Sequence, residues 1–155
     1  KAIELNPNFA IAHSNLGNIL RDLGKLQDAE LSTRTAIELN PNFAIAYSNL
    51  GNILGDLDKL EEAESSCLKA IELNPDLAEA HYNLGIILSR LNKLDESIHC
   101  YKKAIEFQKN FKDAIAAMGT SMTLKGNYKE GLQKLKEGHG SIIFDHITAA
   151  MRIEL

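Results

Sequence analysis

Apolar residues return at three- and four-residue steps along most of this chain. Ala12, Leu16, Leu20 and Leu23 form one such run, and after a break at Gly24 come Leu26, Ala29, Ala36, Ile37 and Leu39. That spacing lays an apolar stripe along one side of a helix, so the pattern predicts a helix, a tight turn and a second helix. It then restarts. Asn6 to Leu39 returns at Asn40 to Leu73 with 25 of 34 positions identical, and a looser copy runs from Asn74 to Phe107. A fixed 34-residue period predicts stacked helical hairpins, each burying its apolar side against its neighbours. The helices are expected near 7–22, 26–39, 41–56, 60–73, 75–90, 94–107, 110–124 and 128–138.

The remaining signals punctuate those helices. Asn6-Pro7, Asn40-Pro41 and Asn74-Pro75 open each copy, and Asn can cap while Pro fits the first helical position without losing a bond. Gly17, Gly51, Gly85 and Gly119 fall in mid-helix, where Gly costs about 1 kcal/mol relative to Ala, so a close helix crossing is the expected compensation. Ala29 and Ala63 face that crossing from the second helix; Ser97 and Gly131 take their place later in the chain. Leu16, Leu20, Leu50, Leu54, Leu84 and Leu88 are the expected core.

The order Leu16-Gly17, Ala29, Ala36 and Pro41, with its copy Leu50-Gly51, Ala63, Ala70 and Pro75, resembles the tetratricopeptide repeat. The likeness covers three copies, Ala10 to Phe43, Ala44 to Leu77 and Ala78 to Phe111, and a degenerate fourth from Lys112 to about His139. It departs from the family pattern at His13, Tyr47, His81 and Ile115, where Trp is usual. Thr33 and Cys67 replace an aromatic, and Lys109 replaces Pro. The resemblance implies an all-α, right-handed solenoid whose first helices line a concave groove. Near-identical tandem copies of this kind resemble those of bacterial proteins, including cyanobacterial ones.

By the same resemblance the inner places read Ile11, Ser14, Asn15, Asn18, Arg21 and Asp22, then Ile45, Ser48, Asn49, Asn52, Gly55 and Asp56. The third copy supplies Glu79, Tyr82, Asn83, Ile86, Ser89 and Arg90. Asn15, Asn49 and Asn83 recur once per copy, and a primary amide can both donate to and accept from the backbone of an extended peptide. Helices packed about 8–10 Å apart would meet roughly every third residue of a strand rising about 3.3 Å per residue. The row is similar to the asparagine ladder in the repeat domain of O-linked N-acetylglucosamine transferases, with Ala117 breaking it in the fourth copy. The competing reading is that these amides cap, are solvated or bond to the neighbouring helix, and recur because recently duplicated copies repeat any neutral residue. The expected peptide-contacting set is Ser14, Asn15, Asn18, Arg21, Ser48, Asn49, Asn52, Tyr82, Asn83 and Arg90. Chaperone-binding relatives clamp a carboxylate with cations, but Ser14, Glu79 and Asn83 stand at those places here, which argues against that ligand.

A formal net charge of −4 argues against a nucleic-acid partner, which needs clustered Lys and Arg. No apolar run is long enough to span a membrane. Two cysteines, Cys67 and Cys100, stand in no metal-like or redox-like spacing and are expected to be reduced, pointing to the cytoplasm. His13, His81, His99, His139 and His146 make no metal-ligand pattern, and His13 and His81 occupy packed places of the repeat. No nucleophile, base and orienter can be assembled and no phosphate loop is present, so neither catalysis nor a cofactor is expected.

The ends carry separate expectations. Lys1 to Leu5 reads KAIEL, the ending of a repeat, so residues 1–5 are expected to close a preceding unit in a longer parent, with the array over 6–140. In 141–155, Ile142, Ile143, Phe144, Ile147, Ala150 and Met151 predict a capping helix; the alternative is a strand opening a following domain at Ser141 to Asp145. A first hairpin without its stacking partner predicts self-association through the array ends. The function expected is a protein-interaction module holding an extended peptide or partner segment. The alternative is an assembly segment that positions a fused enzymatic domain such as a glycosyltransferase.

Overall fold

The computed structural model describes residues 7–139, 141–145 and 150–154. Eight helices follow one another among them: α1 (Pro7–Asp22), α2 (Leu26–Leu39), α3 (Ala44–Asp56), α4 (Leu60–Leu73), α5 (Ala78–Arg90), α6 (Leu94–Phe107), α7 (Lys112–Leu124) and α8 (Tyr128–His139). Each odd helix packs on the even helix after it, and each even helix on the next odd one, so four hairpins stack into an α-solenoid.

The turn inside every hairpin is written by one residue. Gly24, Asp58, Asn92 and Gly126 stand 34 residues apart and all adopt left-handed backbone, with φ of 73°, 61°, 59° and 96°. Gly, Asn and Asp tolerate that region best. The residue after each donates its N–H back to the last full turn: Lys25 to Leu20, Lys59 to Leu54, Lys93 to Leu88 and Asn127 to Met122, at 2.8–2.9 Å. This is the Schellman closure of a helix C-terminus.

Between hairpins the structure corrects the sequence reading. α3, α5 and α7 begin at Ala44, Ala78 and Lys112, not at 41, 75 and 110. Asn40 and Asn74 end the preceding helices instead of opening the next: their N–H groups bond to Ala36 and Ala70, and their backbones are extended. A residue before proline is driven out of the helical region, which explains why Pro41 and Pro75 mark turns. The Asn40 and Asn74 side chains accept from the N–H of Asn42 and Asp76 at 3.2 and 3.3 Å, closing short Asx turns.

The core forms where hairpins meet. Leu50, Leu54 and Ile87 cluster around Ala63, and Cys67, Leu84, Leu88 and Cys100 form a second cluster. Ile98, Tyr101, Met118 and Met122 form a third. Leu16 departs from expectation: it is 44% exposed where its counterpart Leu50 is 3% exposed. Leu50 is covered by Ile37 of the preceding second helix, and no described helix lies before α1. The mid-helix glycines do mark close crossings. A Cβ on Gly85 would lie 2.5 Å from the Tyr101 ring, and one on Gly119 would lie 2.7 Å from the Gly131 carbonyl oxygen. Ser97, fully buried at the third crossing, donates to the Gly85 carbonyl at 2.8 Å.

After α8 come two strands, β1 (Ser141–Asp145) and β2 (Ala150–Glu154), paired antiparallel with Ser141 opposite Glu154. The expected capping helix is therefore replaced by a hairpin. Ile142, Ile143 and Phe144 are contiguous β-formers, and residues that would share one helix side become cross-strand partners, Phe144 opposite Met151. Residues 1–5, expected to end a preceding repeat, lie outside the described residues.

The inner face of the stack as candidate functional site

Side chains 35 residues apart tie neighbouring first helices together. The Asn49 amide nitrogen donates to Ser14 Oγ at 3.0 Å, and that of Asn83 to Ser48 Oγ at 3.1 Å and to the Ser48 carbonyl at 3.3 Å. Arg21 Nε donates to Asp56 at 2.6 Å. Arg90 donates to the Gly55 carbonyl and, at 2.8 Å, to Asp58. Stacking copies of one sequence with an offset of one place produces this regularity, because each first helix meets the next at the same pair of positions.

These contacts sort the residues expected to meet a peptide. Ser14 and Ser48 are buried and serve as acceptors beneath the surface. Arg21 and Arg90 spend their guanidinium groups on the neighbouring hairpin. Asn15 is exposed, Asn18, Asn52 and Tyr82 are partly exposed, and Asn83 is only 8% exposed. A groove of about 390 Å³ nevertheless brings Asn18, Arg21, Asn49, Asn52, Tyr82 and Asn83 together, joined by Asp22, Glu79, Phe111 and Asp113.

Two of those residues, Phe111 and Asp113, went unrecognised as candidates in the sequence. The signal was the second residue of each copy, the first inner place, which runs Ile11, Ile45, Glu79 and Asp113: apolar twice, then acidic twice. Phe111 packs on Tyr82 with ring centroids 4.8 Å apart. Burial, followed by the nearby Asp113 carboxylate, raises the Tyr82 phenol above its ordinary pKa, so it stays a neutral hydroxyl. One guanidinium, already paired, faces three carboxylates along the groove. Among the described residues neither Glu79 nor Asp113 has an ion-pair partner.

Away from the groove, two histidines and both thiols are partly or fully packed. His81 Nε2 donates to the Pro75 carbonyl at 2.8 Å and its ring lies 5.4 Å from that of Phe107. His13 is half-buried and its own carbonyl accepts from Ser32 at 2.9 Å. The side chains of His139 and His146 lie outside the described residues. Cys67 and Cys100 are free, buried thiols, pushed up to about 12 and about 11 chiefly by burial. No group of three metal-ligating side chains occurs among the described residues, and no described helix is long and apolar enough to cross a membrane.

Comparison with known proteins fits this geometry. Two models described as tetratricopeptide repeat match residues 42–110 and 10–43. No curated protein matches the chain. Among solved structures, one of MamA is 28% identical with a TM-score of 0.73, over 86% of this chain and 78% of that one. A second, of MamA protein, is 29% identical with a TM-score of 0.72, over 85% and 72%. The first TPR of Spaghetti (RPAP3), bound to the HSP90 peptide SRMEEVD, is 22% identical with a TM-score of 0.74, over 81% of this chain and 99% of that one.

Proposed function

We propose, from the premise that this chain belongs to the tetratricopeptide repeat family, that it is a protein-interaction module whose concave groove holds an extended segment of a partner. The observation that carries the reading is the groove itself. First helices of four successive hairpins line it, with solvent-reaching amides and one aromatic pair. Preformed grooves of this size with a few convergent polar groups are where proteins hold ligands. A chain of the same fold, Spaghetti, is held with a peptide, which supports the class of ligand. The Asn ladder is half structural: Asn49 and Asn83 hold the preceding hairpin with their nitrogens, and Asn83 keeps its oxygen for a ligand.

A displayed library of random twelve-residue peptides, selected on the immobilised protein, tests this reading. Selected peptides should lose binding to the Tyr82→Ala, Asn52→Ala double variant and keep it when Ser65, on the second-helix side, is changed to Arg. Selection of no peptide, or binding indifferent to the groove changes, would overturn it. We also propose contact between copies at the α1 end, where Phe9, Leu16, Ile19 and Leu23 are exposed.

A further inference from the structure

The orientation of the buried amides decides what the groove offers a ligand. The Ser48 carbonyl can only accept, so the Asn83 side chain must point its nitrogen there, at 3.3 Å. Its oxygen has no hydrogen-bond partner among the described residues. Nor is it sealed away, since no buried side-chain nitrogen or oxygen among them lacks a partner. More than nine-tenths of Asn83 is buried and the rest lines the groove, so the atom exposed there is an acceptor. One hairpin earlier Asn49 contacts only the Ser14 hydroxyl, at 3.0 Å, so the carbonyl bond that fixes the amide belongs to Asn83.

Glu79 and Asp113 add two carboxylates on α5 and α7, beside the Tyr82 and Phe111 rings. A cation over such rings is attracted by their negative faces, and a guanidinium or ammonium there would also donate to carboxylates without competition from a protein cation. We propose that the groove selects a basic segment of its partner, an Arg or Lys side chain seated on Tyr82 and Phe111 between Glu79 and Asp113, with the Asn83 oxygen accepting an N–H group. The proposal rests on the groove reading above and adds its charge preference. An acidic peptide such as the SRMEEVD held by Spaghetti would bring like charges together and find the amide nitrogens already used.

The test uses the peptides selected above together with SRMEEVD and its charge-reversed form SRMKKVK, by fluorescence anisotropy on the full chain. Selected peptides should be enriched in Arg and Lys over Asp and Glu, and SRMKKVK should bind more tightly than SRMEEVD. The Glu79→Gln, Asp113→Asn double variant should weaken the basic peptides about tenfold, the scale of one lost charge-assisted bond, and leave neutral peptides within about twofold. Raising salt from low to a few hundred millimolar should erase most of the difference, because exposed charges are screened over about 10 Å at 0.1 M. Circular dichroism of the double variant, both sites being exposed, checks that it is folded. If the selected peptides are neutral or acidic, or ignore the double variant while still losing binding to Tyr82→Ala, Asn52→Ala, the groove reading stands and the charge preference fails. If no peptide is selected at all, the groove reading fails with it.

Discussion

Leu16 and Leu50 sit in the same seven-residue context, Ser-Asn-Leu-Gly-Asn-Ile-Leu, yet one is open to solvent and the other sealed. Truncating a buried leucine removes its transfer energy and leaves a cavity, so Leu50→Ala should cost roughly 2–5 kcal/mol in urea unfolding. Leu16→Ala should cost less than about 1 kcal/mol, as surface changes usually do, and equal losses would mean that α1 is covered. The thiols set a second residue-scale expectation. Cys67 and Cys100 ionise near 9.0 when unfolded but only at about 12 and about 11 in the fold. Their contribution to stability is therefore complete below pH 9 and is lost as pH rises towards 11 and 12, at up to about 1.4 kcal/mol per pH unit for each thiol. Melting temperature followed from pH 8 to pH 11 should fall on the alkaline side, and Cys67→Ala should flatten that fall. Tyr101, also raised by burial, adds to it at the highest pH.

At the scale of elements, the crossings depend on which atom a missing Cβ would meet. At Gly85 it would meet the Tyr101 ring, which is held by packing, whereas at Gly55 it would meet Ile87 Cδ1 at 2.7 Å, the flexible end of a side chain. Gly85→Ala should therefore destabilise by about 1–3 kcal/mol through overpacking. That outweighs the roughly 1 kcal/mol an Ala contributes to a helix. Gly55→Ala should stay within about 1 kcal/mol of the parent in thermal unfolding. Helix identity and the hairpin turns were legible in the sequence because a 3.6-residue period and a left-handed Gly, Asp or Asn are local properties. The starts of α3 and α5 were misplaced because Asn-Pro satisfies two local readings, and the extended backbone required before proline favours the turn. Likewise the 142–144 run fits a helix stripe or a strand, and only pairing with 150–154 separates them.

The described array has interior units covered on both sides, while α1 and the turn after it show Phe9, Leu16, Ile19 and Leu23 to solvent. Sedimentation velocity across a hundredfold concentration range should reveal reversible dimers that Ile19→Glu with Leu23→Glu abolishes; a single monomer throughout would sink the idea of contact at this end. Exposed ion pairs between hairpins, Lys59 with Glu30 and Lys93 with Glu64, add little by comparison with apolar stacking. The sequence by itself determined the number and period of the hairpins, because those follow from spacing repeated along one chain. Only the tertiary structure decided what the inward residues still offer. Whether an amide oxygen, a guanidinium or a leucine is occupied depends on the neighbour it meets, and near-identical copies such as Leu16 and Leu50 differ in that neighbour alone.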